Sequence, residues 1–105
     1  MADFMKILQQ AQEMQGKFQQ LQEDLKQQTV SASSGGGMVT VEANGQGTVR
    51  SVKIDPSVVN PADVEMLEDL VLVALTEAQN KARALGEGSL SKLAGGLSLP
   101  FKLPF

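Results

Sequence analysis

The side chains of this sequence that could act on another molecule are its cations. Lys6, Lys17 and Lys26 recur through the first quarter of the chain, and Lys81 and Arg83 stand two residues apart near its last quarter. Cations so placed can donate charge-assisted hydrogen bonds to phosphate oxygens, an interaction that positions a polyanion and weakens as salt rises. Each lysine also has a plainer use as a solubilising residue on an exposed helix face. Arg50 and Lys53 fall on a predicted strand, where pairing with Glu42 or Asp55 competes with any phosphate contact. Glutamines 9, 10, 12, 15, 19, 20, 22, 27 and 28 could reach bases or phosphates, although glutamine equally serves to keep a helix soluble.

Composition removes most other chemistry. The 105 residues include no Cys and no His, so disulfides, thiolate nucleophiles, Ser/His pairs and the usual zinc ligand sets are all excluded. With no Trp, no Tyr and four Phe, little is left to line a substrate pocket. The chain is therefore expected not to be an enzyme, with no cofactor, no metal and no small-molecule substrate. The acidic group Glu65, Glu68 and Asp69 reads as favourable charge near a helix N-terminus. Gly35 to Gly37 lack the Gly-Lys-Ser/Thr ending of a phosphate loop, and Gly45-Gln46-Gly47 leads into a strand, so both read as turns.

Charge is uneven along the chain. Nine basic residues stand against twelve acidic ones, a net charge of −3, which opposes binding to a polyanion. Residues 61–80 carry five acids and no base, whereas residues 81–105 carry Lys81, Arg83, Lys92 and Lys102 against Glu87 alone. If the acidic stretch faces away, the basic positions of both helices can still line a groove.

Positioning these groups requires two helices and a sheet. From Asp3 to about Gln28, apolar residues at Phe4, Ile7, Ala11, Met14, Phe18, Leu21 and Leu25 alternate steps of three and four, a narrow heptad seam suited to a helix–helix contact. An amphipathic helix lying on its own domain uses the same residues. Thr29 to Ile54 turns to β-branched residues and glycine: a short strand at Val30 and Ala32, a strand at Val39, Val41 and Ala43, an Asn44-Gly45 turn, and a return strand to Ile54. The phase slip between Val49 and Val52 predicts a bulge near Arg50 and Ser51. Asn60-Pro61-Ala62-Asp63 reads as N-cap, first-turn proline and first-turn acid of a second helix. That helix is expected to run to about Leu85 and to stop at Gly86 and Gly88. Residues 89–105 then form a flexible tail, beyond a domain spanning 1–88.

The fold class is thus α+β: a long N-terminal helix, a three-stranded antiparallel meander and a long C-terminal helix. Two helices of about 25 residues, each about 38 Å long, exceed the roughly 33 Å breadth of a compact globule of this size. The surplus apolar stripe must pair within a helical arm or against a second chain. A homodimer with projecting arms is expected, with Phe4, Ile7, Met14, Phe18, Leu21 and Leu25 at the contact. The longest apolar run, Leu70 to Leu75, is far short of the roughly 20 residues of a membrane span. Asp3 and the polar first helix do not suit a secretory signal, so a cytoplasmic location is expected.

Set in this order, Gly36-Gly37-Met38-Val39-Thr40-Val41, Asn44-Gly45, Val52-Lys53-Ile54-Asp55 and Leu67-Glu68-Asp69-Leu70, with Ala74, Glu77-Ala78 and Lys81-Ala82, resemble the YbaB/EbfC family of nucleoid-associated proteins. The resemblance covers residues 3–86. It implies a tweezer-shaped homodimer in the bacterial nucleoid that binds double-stranded DNA and alters its shape, with Lys6, Lys17, Lys26, Lys81 and Arg83 as the DNA-contacting candidates. A protein-interaction module, whose arms grip another protein and reach DNA only indirectly, suits the acidic composition and is the alternative.

Overall fold

A computed structural model describes residues 2–95 of the chain. The order is α1 (Ala2–Gln27), β1 (Thr29–Ser34), β2 (Val39–Asn44), β3 (Val49–Ile54), a single 3-10 turn (Pro56–Val58) and α2 (Val64–Gly95). The strands form one antiparallel sheet in the order β1-β2-β3, which is the expected α+β meander between two long helices. The described helices are not long and apolar enough to cross a membrane.

β-Branched and small apolar residues on alternate positions of the strands make one face of the sheet. Val41 pairs with Ala32 on one side and Val52 on the other. Because paired residues share a face, these three point the same way. α2 lies across that face over β1 and β2, and meets it with Ala74, Ala78 and Ala82, four residues apart and all buried. Alanine at those steps lets the helix backbone come close to the sheet, so the core is small: Val39 and Val41 are its largest fully buried side chains. Leu67, Leu70, Val71, Leu75 and Val49 pack around it, half-buried. The hydroxyl of Ser34 donates to the carbonyl of Leu70, fixing α2 against the end of β1.

The β1-β2 turn contains Gly35, Gly36 and Gly37 at φ +62°, +68° and +94°. Three successive residues in the left-handed region are accessible to glycine alone at little cost, which is why the strand breaks at that triplet. The bulge falls where the phase slip placed it: Glu42 pairs with Ser51 and Ala43 with Val49, leaving Arg50 without a partner in the ladder.

Three boundaries differ from expectation. Asn60 does not cap α2; its side chain accepts from the Ala62 N–H at 2.9 Å within a turn, and the cap is Asp63, which accepts from the Met66 N–H at 3.2 Å. Pro61 therefore precedes the helix. Nor do Gly86 and Gly88 stop α2, which continues to Gly95. An interior glycine costs a helix only about 1 kcal/mol, and Gly86 and Leu90 line a groove with Phe18, Leu21 and Leu25 of α1. The tail expected from residue 89 is helical to 95, and its remainder lies outside the described residues.

The consequence is an elongated molecule. Its extents are 72 × 24 × 16 Å and its radius of gyration is 19.9 Å, against about 13 Å for a compact domain of this size.

Candidate nucleic-acid interface

The elongation comes from α1, which leaves the body as an arm. Only its last turns touch the rest of the chain. Leu25 is 4% exposed and Leu21 half-buried, whereas Phe4 and Ile7 are 63% and 61% exposed, and Met14 and Phe18 also face solvent. Of the six residues expected between chains, Leu25 is thus closed within its own chain, and the other end of the stripe stands bare.

Hydrogen bonds from the sheet fasten the arm to the body. The Gly45 N–H donates to the Leu25 carbonyl at 2.8 Å. The Gln46 side-chain amide donates to the Gln22 carbonyl and to Gln22 Oε1, each at 3.1 Å. Arg50 donates from its guanidinium to the Lys26 carbonyl at 2.8 Å, so the bulge turns this cation onto the negative end of α1, away from the cross-strand partners expected for it.

Beyond that junction α1 and α2 run antiparallel and enclose two grooves. The larger, about 640 Å³, is lined by Phe18, Gln22, Gln46, Arg83, Glu87 and Leu90 among others. The smaller, about 270 Å³, is lined by Lys17, Gln20, Leu21, Asp24, Gln28, Ser89 and Lys92.

The five candidate cations are dispersed along this frame. Lys6 is exposed on the outer part of the arm and Lys26 at its root. Lys17 lines the smaller groove and Arg83 the larger. Lys81 points to the other flank of α2, where its ammonium donates to the Ser31 carbonyl at 2.7 Å. Two residues on a helix are about 200° apart, so Lys81 and Arg83 are neighbours in sequence but not in space. Lys92 stands outside the five candidates, yet it shares a groove with Lys17. The signal for it is the continuation of apolar four-residue steps past Gly86, which keeps Lys92 on a helix.

Charge separates along α2. Glu65, Glu68 and Asp69 occupy its first turns, while Arg83 and Lys92 lie on the part beside α1. Thirteen residues lie between Asp69 and Arg83, a span of about 21 Å, more than twice the screening length of about 8 Å at physiological salt. The acids of those first turns are therefore screened from Arg83 and Lys92, and the acids nearest the cations are Asp24 and Glu87, which line the same grooves.

The molecule is thus an α+β body carrying two long helices with cations dispersed along them. The chain belongs to the YbaB/EbfC DNA-binding family, whose sequence model matches residues 1–97. It is 50% identical over 103 residues to a nucleoid-associated protein of Gemmatimonas aurantiaca, covering 98% of this chain and 99% of that one. It is 52% identical over 101 residues to another, from Thermodesulfovibrio yellowstonii, covering 96% and 85%. Among solved structures it is similar to the uncharacterized protein HP0035 of Helicobacter pylori, with TM-score 0.63 and 30% identity, covering 83% of this chain and 96% of that one.

Proposed function

We propose that the protein binds double-stranded DNA in the bacterial nucleoid as a homodimer and alters the path of the duplex. The observation that carries this reading is the segregation of charge along α2, which leaves Lys6 and Lys17 on α1, and Arg83 and Lys92 on α2, on a projecting arm distant from the acidic turns. Lys26 and Lys81, nearer the body, add to the same field. Backbone contacts of this kind give weak sequence preference, and any specificity comes from how readily the duplex deforms.

The homodimer has two apolar surfaces to draw on, the outer α1 stripe with Phe4, Ile7, Met14 and Phe18 exposed, and the body. Val52 and Ile54 face the α2 side of the sheet but lie beyond the cover of that helix, and both are exposed, as are Leu72 and Val73 on α2. Joining two bodies there buries this apolar surface and holds two arms at a fixed spacing.

Titration of a duplex of mixed sequence across a salt series tests the reading. Affinity should fall steeply and linearly on logarithmic axes, with a slope of about −0.9 per phosphate contacted. No binding at low salt removes the proposal, and recovery of a protein partner that persists after nuclease treatment replaces it with the interaction-module alternative.

A further inference from the structure

Among the described residues, every position of α1 from Asp3 to Gln20 is exposed. A lone helix of this length is marginal in water, and Gly16 weakens it further by about 1 kcal/mol. Its apolar seam is uncovered, since Phe4, Ile7, Leu8 and Met14 all face solvent. Alternating steps of three and four place Phe4, Ala11 and Phe18 at one kind of seam position and Ile7 and Met14 at the other, as in a two-stranded coiled coil. On such a seam, the charges along its flanks choose the partner helix and its direction.

Asp3, Gln10 and Lys17 follow one flank at steps of seven, and Leu8 and Gln15 follow the other. The first flank is acidic at one end, neutral in the middle and basic at the other end, so it is complementary to its own reverse. Antiparallel pairing about Gln9 lays Asp3 beside the partner's Lys17 and, by symmetry, Lys17 beside the partner's Asp3. The same register seats Phe4 against the partner's Met14 and Ile7 against the partner's Ala11, and it brings Leu8 to the partner's Leu8 across the axis. Other arrangements lose the match. A shift of one heptad towards the body faces Asp3 with the partner's Asp24. Parallel pairing sets Lys17 opposite the partner's Gln22 and Asp3 opposite the partner's Leu8, with no opposite charges facing.

We propose that the outer half of α1 is a self-association surface, on which the arms of two copies pair antiparallel over residues 3–17. The paired segment ends at the groove that Lys17 shares with Lys92, where α2 begins to accompany α1. The contact is isologous, its apolar layers supply the attraction, and the two Asp3 and Lys17 pairs set direction and register. With fewer than about 20 residues a side, it is smaller than a standard stable interface. It therefore forms reversibly as concentration rises, and it joins particles rather than holding the homodimer together. Lys6 and Arg83 take no part, so joined particles still present cations.

The absence of cysteine from the chain makes the test direct. Full chains carrying Ile7→Cys and, separately, Ala11→Cys are mixed at high concentration without DNA, the second with a tag that distinguishes it by mass. Mild oxidation should give the mixed disulfide in about tenfold excess over either like pair, because only that pair lies within bonding distance. A predominance of like pairs overturns the proposal in favour of parallel arms. A statistical mixture or no disulfide also overturns it, and assigns the seam to another part of the same chain or to a different protein. Independently, Asp3→Lys should raise the concentration needed for self-association about fivefold, as expected for two exposed pairs turned repulsive, and adding Lys17→Asp should restore it. No change in the single variant, or no rescue in the double, overturns the register. Neither measurement involves DNA, so both stand apart from the outcome of the salt titration.

Discussion

The N–H of Gly45 lies 2.8 Å from the carbonyl oxygen of Leu25, and a methyl group at position 45 would come within 2.7 Å of that same oxygen. Asn44-Gly45 signals a hairpin turn in sequence through its tolerance of positive φ, but the positive φ in this turn belongs to Gly47, at +88°. Gly45 serves the close approach of the turn to α1. Gly45→Ala should therefore push the arm from the body and destabilise the protein by about 2 kcal/mol, in the range of overpacked sites. Gly86 faces the same leucine with space to spare, since an added Cβ would meet Leu25 Cδ1 at 3.9 Å. Gly86→Ala should stabilise by up to about 1 kcal/mol through helix propensity. Urea denaturation of the two variants should give opposite signs.

Lys17 and Lys92 line one groove from two helices, which makes them a sharper probe of DNA binding than the adjacent Lys81 and Arg83. Replacing both with Gln should weaken binding to every duplex about equally and reduce the magnitude of the salt slope by about 1 for each phosphate no longer engaged. Both residues are exposed, so the unfolding midpoint should hardly move. The measurement is fluorescence anisotropy over a salt series, and an unchanged slope would place the phosphate-binding cations elsewhere.

Lys92 also shows where the sequence is legible and where it is not. Local patterns locate the strands, the glycine turn and the bulge at Arg50, because period-two alternation and its interruption are properties of neighbouring residues. The end of α2 is not local. Glycines at 86 and 88 weaken a helix by a modest amount, and the packing that offsets them comes from Leu25, about 60 residues away in the chain. The cap at Asp63 is hidden for a related reason: Asn60 satisfies a cap pattern, but its side chain is occupied by the Ala62 N–H. Among the cations, sequence proximity suggests that Lys81 and Arg83 act together, and the helical turn between them sends them to opposite flanks.

Asp55 offers a check on the turn that follows the sheet. Its carboxylate accepts from the Ser57 N–H at 2.9 Å, and that hydrogen bond, with a further contribution from the Ser57 side chain, holds its pKa below the ordinary aspartate value. A lowered folded-state pKa means that the contribution to stability is complete above the unfolded value of about 3.9. It disappears as pH falls through the lower folded value. A carboxyl titration followed by NMR should place Asp55 below a free aspartate, and Asp55→Asn should remove that inflection and slightly lower stability at neutral pH, with the difference from the parent protein vanishing in acid as the carboxylate protonates.

The contact between chains is open to one decisive substitution. Val52 pairs with the fully buried Val41 yet is itself 45% exposed, because α2 covers the central strand and stops short of β3. A charge at Val52 costs the single chain little, in the way of other exposed sites, about 0.5 kcal/mol, but buries an unpaired carboxylate if two bodies join there. Val52→Glu should therefore leave the helical circular dichroism intact while light scattering shows the mass falling from a dimer to the 11.2 kDa of one chain. Duplex affinity should fall with it by about 100-fold, since two arms on one particle gain from effective concentration and one arm alone does not. A variant that remains dimeric would move the contact off β3, and one that becomes monomeric with undiminished affinity would show that a single arm suffices to hold DNA.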